Sequence, residues 1–201
     1  MRGWCAPGRW AAVALLVVSV VALQACVDTL IVGGMATGVI LASDRRQLEV
    51  MLNDHRIESA AGDRIDEALK GEGHVNVTSY NYTVLLTGEV PTAQAKTQVE
   101  KIVGEVPQVK TVVNELQIAG ASSTVSRSND AYITSKVKSS FLGAGKFRPT
   151  DVKVVTEAGV VHLLGLVTRE EADAATEVAR GTAGVLKVVR VFEYVVPPRT
   201  K

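Results

Sequence analysis

Val75-Asn76-Val77-Thr78-Ser79-Tyr80-Asn81-Tyr82-Thr83-Val84-Leu85-Leu86-Thr87-Gly88-Glu89-Val90 aligns without gaps on Val152 to Val167, at a shift of 77 residues. Downstream the same shift carries Ala95 onto Ala172, Gly104 onto Gly181, Val109 onto Leu186 and Val112 onto Val189. A recurrence of this length is an internal repeat, and the chain holds two copies of one domain. In each copy a short Val-rich run, a turn and a second apolar run read as a β-hairpin. The turn falls at Asn81-Tyr82 in the first copy and at Glu157-Ala158-Gly159 in the second.

Outward from the hairpin the period changes to that of a helix. Ala95, Val99, Ile102, Val103 and Val106 follow in the first copy, and Ala172, Ala175, Thr176 and Ala179 in the second. Thr168 and Glu171 have the spacing of a capping box, in which hydroxyl and carboxylate satisfy each other's free backbone N–H groups. Upstream lie Ile57, Ala61, Ile65 and Leu69, and then Ile133, Val137 and Phe141, at i, i+4 spacing. Each unit closes on a β-rich run, Val109 to Ile118 and Leu186 to Val196. The order is αββαβ, twice. Each helix has one apolar stripe to bury, so the expected fold is α+β, with two helices packed on one face of a small sheet in each domain. The domains are expected at 47–119 and 128–196, with a linker at 120–127 and a tail at 197–201.

The chain is 201 residues long, 47% hydrophobic and 21% charged, with a net charge of +1, which excludes disordered, collagenous and polybasic nucleic-acid-binding classes. Met1 to Arg9 carries two arginines and no acid, Trp10 to Leu23 is apolar, and Leu23-Gln24-Ala25-Cys26 follows. These last four residues resemble the lipobox of bacterial lipoproteins, with a small residue before a cysteine whose thiol receives diacylglycerol. The resemblance implies a signal peptide over residues 1–25 and a covalent acyl and diacylglycerol lipid on Cys26, with no other cofactor. Val27 follows that cysteine where an aspartate signals inner-membrane retention, so the outer membrane is favoured, with the protein facing the periplasm. Residues 26–46 read as a lipid-anchored tether ending at Asp44-Arg45-Arg46. A helical hairpin-like insertion of its apolar part, and an uncleaved transmembrane anchor over Trp10 to Ala42, are the alternatives. Cleavage removes Cys5 and both tryptophans, and an acylated Cys26 cannot pair, so no disulfide framework is available.

A helix, Val-x-Val, a turn, Val-x-Leu-x-Gly-x-Val, a helix and a closing Val-rich strand resemble the BON domain, a small envelope-associated module. A lipobox followed by two such units resembles the dual-BON outer-membrane lipoproteins of the DolP type. Ser128 to Val137 and Leu164 to Ala172 are similar to that family's second domain, and Val75 to Tyr80 to its first. The resemblance implies a non-enzymatic protein that supports envelope integrity, gathers at the division site and influences peptidoglycan amidases. It also implies that the first helix of the second domain binds anionic phospholipid through an aromatic residue, usually tryptophan, where this chain has Tyr132.

Helical geometry places Tyr132 about 100° from the stripe of Ile133 and Val137, beside Lys136, Ser135 and Ser139. Between Arg127 and Arg148 five basic residues stand against Asp130, a local net charge of +4. The expected lipid-binding residues are therefore Tyr132, Lys136, Lys138 and Ser139. Gly88 and Gly165 recur within Gly-x-Val and are expected to serve packing. His55, His74 and His162 have no metal-ligand spacing, and His162 reads as a satisfied residue of its strand. No nucleophile elbow or glycine-rich phosphate loop occurs, and no aromatic ladder accompanies the basic residues. Catalysis, a metal, a small-molecule substrate and nucleic acid are not expected. An anionic membrane is the expected partner, together with envelope or peptidoglycan-remodelling proteins. The alternative is a periplasmic adaptor whose domains bind envelope proteins rather than lipid.

Overall fold

The computed structural model describes residues 44–120 and 123–196. Cys26 and the apolar tether lie outside the described residues. Among the described residues no helix is long and apolar enough to cross a membrane.

Domain 1 runs α1 (Leu48–Leu69), β1 (His74–Tyr80), β2 (Thr83–Val90), α2 (Ala93–Gly104), β3 (Thr111–Asn114) and β4 (Gln117–Ile118). Domain 2 runs α3 (Thr124–Ala144), a short 3-10 turn (Pro149–Asp151), β5 (Val152–Glu157), β6 (Val160–Val167), α4 (Arg169–Arg180) and β7 (Lys187–Tyr194). Each hairpin is antiparallel. Each closing strand then joins the second hairpin strand in parallel, at Val84 opposite Val112 and Val161 opposite Val188. A parallel neighbour requires a crossover, and the second helix of each unit supplies it.

The stripes pack as their spacing demands. Ile57, Ala61 and Ile65 meet Val84, Leu86, Val90, Val99 and Val103 in one core. Ile133, Val137 and Phe141 meet Val161, Leu163, Val167, Ala172, Ala175 and Ala179 in the other. The Thr168–Glu171 capping box is formed on both sides. Three boundaries differ from expectation. The Ser123 hydroxyl accepts from the Ser126 N–H, so α3 starts at Thr124, inside the segment read as linker. The closing run of domain 1 pairs with β2 in two pieces, resuming in the same register beyond Thr87 and Gly88. Asp44, Arg45 and Arg46, read as the end of the tether, are built into the folded unit.

Arg45 lies between two acids of domain 2, with Nε 3.0 Å from Asp151 and the guanidinium 2.6 Å from Glu171, and it donates to the Leu166 carbonyl. Arg46 stacks 3.9 Å over the Tyr80 ring of domain 1 and pairs with Asp44 and Asp54.

The second face of each sheet is also buried. Leu85 on β2 and Leu164 on β6 point away from their own helices and form a third apolar cluster with Tyr80, lined by Val113, Val155, Leu166 and Val191. The two sheets thus pack face to face, with the helices outside. Polar links frame this seam: Asn76 to Glu157, Lys153 to Glu58, Asn81 to Glu193, and the Tyr80 hydroxyl to the Asp151 carbonyl.

The two glycines share one cause. A Cβ on Gly88, whose φ is +108°, would lie 2.0 Å from the His74 carbonyl oxygen, and one on Gly165 would lie 2.5 Å from that of Asp151. His74 and Asp151 are equivalent positions of the repeat, so in both copies the backbone entering the first strand passes over the second where only glycine leaves room.

Candidate functional site: the exposed rim of domain 2

Three elements build this rim. Ile133, Val137 and Phe141 fix the rotation of α3 by burying one stripe, and Thr134 donates or accepts at 2.7 Å with Thr156 on β5. Asp130, itself buried, accepts the Ala158 and Gly159 N–H groups at 2.9 and 2.8 Å, which ties the helix to the β5–β6 turn. The loop from α4 to β7 closes over the same end. Gly184, at φ +99°, lets it approach Ile133, and the Leu186 N–H donates to the Gly159 carbonyl.

With the helix so fixed, Tyr132 stands 64% exposed. The Lys136 ammonium lies 5.1 Å from its ring centroid and also donates to the Ala183 carbonyl, so this lysine is held in place by the loop. Ser139 follows on the same face, at i+7 from Tyr132, and is exposed. Lys138 is not part of this group. It lies about 240° round the helix from Tyr132, where it lines an open cavity of about 370 Å³ with Tyr80, Phe141, Leu142 and Pro149. Arg148 is paired with Asp151 at 3.0 Å, so one of the five local cations already has an acid beside it.

Leu186, not among the residues expected at the site, is 80% exposed on this rim. Its signal was the repeat itself, which places it opposite Val109, a residue that packs partly into the core of domain 1. The helices carry a second signal. Asn53-Asp54-x-x-Ile57 recurs as Asn129-Asp130-x-x-Ile133, and that alignment sets Arg56 against Tyr132 and Ala60 against Lys136. Domain 1 therefore offers an arginine and a half-buried valine where domain 2 offers an exposed tyrosine and an exposed leucine.

His162 differs from expectation. It is 2% exposed on the seam face of β6, and neither ring nitrogen has a hydrogen-bond partner. Burial holds its pKa below the ordinary imidazole value. Among the described residues no group of three or more His, Cys, Asp and Glu is placed to hold a metal ion.

The BON domain family profile matches residues 53–120 and 129–195. The chain is 37% identical over 183 residues to the outer membrane lipoprotein DolP of Haemophilus influenzae, covering 90% of this chain and 94% of that protein. It is 35% identical over 154 residues to a 21 kDa hemolysin of Actinobacillus pleuropneumoniae, covering 76% of this chain and 79% of that one. A solved structure of CdsD, a structural protein of the type III secretion system of Chlamydia trachomatis, is 13% identical, covers 66% of this chain and 91% of its own, and has a TM-score of 0.30. That likeness is too slight to bear on function. With two BON domains and relatedness along nearly its whole length, the chain belongs to the BON-domain family, among the dual-BON outer-membrane lipoproteins of the DolP type.

Proposed function

We propose that this protein is a non-enzymatic periplasm-facing lipoprotein whose second BON domain docks on anionic phospholipid and thereby supports envelope integrity. The observation that carries this reading is exposed Tyr132 beside Lys136, with exposed Leu186 on the loop that holds that lysine, at positions where domain 1 has Arg56, Ala60 and half-buried Val109. A tyrosine with its hydroxyl in water and its ring in the headgroup layer suits a membrane interface, and an exposed leucine on the loop that holds Lys136 adds apolar area.

Magnitudes divide the labour. At about 1 kcal/mol per basic residue near an anionic surface, Lys136, the cation held beside Tyr132, supplies about 1 kcal/mol, which is far weaker than millimolar binding. The rim orients the protein and selects the lipid, while an acylated Cys26 supplies retention, since two acyl chains anchor stably and one does not. A place at the division site and an influence on peptidoglycan amidases follow from the family resemblance. They would be consequences of where the lipid is recognised.

The test is NMR titration of residues 44–201, which reads binding weaker than millimolar, with micelles of short-chain phosphatidylglycerol or of short-chain phosphatidylcholine. Binding to the first, weakening with salt, and none to the second supports the reading. Binding to neither passes the function to the adaptor alternative.

A further inference from the structure

Among the described residues, the buried side-chain polar atoms left without a hydrogen-bond partner are the Thr87 hydroxyl and both ring nitrogens of His162. Both residues face the domain seam. Position 162 corresponds to Leu85 in the repeat, and Thr87 corresponds to Leu164. At two equivalent places each sheet thus contributes one leucine, buried in the seam cluster, and one polar residue with nothing to bond. A leucine demonstrably fits the position in domain 1, so the imidazole is not imposed by the fold.

We propose that the seam between the two BON domains is a pH-operated latch, closed while His162 is neutral and loosened when His162 takes up a proton. An uncharged imidazole is tolerated at the edge of the seam, where His162 lines an opening of about 340 Å³ with Glu115, Gln117, Glu157 and Lys187, whereas a charged one without hydrogen bonds costs more to keep from water. The groups facing it are few. Glu115 of domain 1 has Oε2 4.0 Å from Nε2, Lys187 comes from β7, and Glu157 comes from the end of β5, close to Glu89. Glu115 favours the charged form and Lys187 opposes it, and desolvation outweighs both. The carbonyls of Val155 and Val160 also favour charge, yet they do not meet either nitrogen in a hydrogen bond. Opening rehydrates the ring and restores its ordinary basicity. The open state therefore binds more protons, and opening becomes easier as pH falls through about 6.5 and below.

Hydrogen–deuterium exchange of the full chain in detergent micelles, corrected for intrinsic rates, tests this from about pH 7.5 to about pH 5. Peptides holding Leu85 and Leu164 should exchange faster as pH falls, by up to about tenfold per pH unit, while α2 and α4 stay protected. His162→Leu should abolish that acceleration and slow exchange at every pH. Thr87→Val should slow exchange and leave the pH response in place. A His162→Leu protein that keeps the wild-type response overturns the latch. Should that variant fail to fold, the imidazole resonances of the wild type decide. His162 must titrate below about 6.5, and titration at or above that value overturns the proposal.

Discussion

Asp54 and Asp130 hold the same place in the two copies. Each stands three residues before the first buried isoleucine of its helix and receives two consecutive N–H groups from the facing hairpin turn. For Asp54 these come from Asn81 and Tyr82, both at 2.8 Å, and for Asp130 from Ala158 and Gly159. Asn81, Tyr82, Ala158 and Gly159 all have positive φ, so these turns point adjacent donors the same way, and a buried carboxylate is what satisfies them. Asp54 also accepts from the Ser79 hydroxyl and pairs with Arg46.

Loss of either carboxylate strands two donors. Asp130→Ala should destabilise by about 1–3 kcal/mol, and Asp54→Ala by more, because Ser79 and Arg46 lose a partner as well. Thermal melts of residues 44–201 check the order, and the Asn variants should recover part of each loss.

Alanine at either repeated glycine drives a methyl into a carbonyl oxygen. Gly88→Ala should cost about 3 kcal/mol, because its positive φ adds strain to the clash, and Gly165→Ala about 1–3 kcal/mol. Urea midpoints of the two variants give the comparison.

The Arg45–Glu171 contact makes stability acid-sensitive. Hydrogen bonding from Arg45, opposed by partial burial and helped by the Thr168 N–H, holds the Glu171 carboxyl down to about 2 against an ordinary 4.5. A depressed folded-state pKa means that the contribution is complete above about pH 4.5 and is lost as pH falls toward about 2. Arg45→Ala should therefore lower the melting temperature at neutral pH and flatten its decline across that window.

The lipidation reading rests on Leu23-Gln24-Ala25-Cys26, outside the described residues. Mass spectrometry of the membrane fraction should find a chain starting at acylated Cys26, and Cys26→Ser should leave an unacylated precursor that keeps its leader. A wild-type chain starting at Met1 would contradict it.

The repeat and its two periods were legible because the stripes at Ile57, Ala61 and Ile65 and at Ile133, Val137 and Phe141 face one core each. The seam was not read, although the signal was present: Val84-Leu85-Leu86 and Leu163-Leu164 are apolar on successive positions, which in a strand means burial on both faces. The paired aspartates were hidden for a different reason. The helices align at a shift of 76 and the hairpins at 77, so one alignment does not show both. Arg45 and Arg46 looked like the polar end of a tether, because their partners Glu171, Asp151 and Asp54 are distant in sequence. Helical spacing alone separates Lys138 from Tyr132, but a charge count over the whole helix merged them.

The central claim is that the rim of domain 2 is a lipid contact, and Tyr132→Glu tests it most directly. The ring is exposed, so the substitution should leave the melting temperature of residues 44–201 within about 4 °C of the wild type. It places a negative charge where anionic headgroups must approach. In NMR titration with phosphatidylglycerol micelles the account predicts that the folded variant lacks the shifts that α3 and the α4–β7 loop show in the wild type, with Leu186→Ser intermediate. A folded Tyr132→Glu protein that shifts as the wild type does would contradict it.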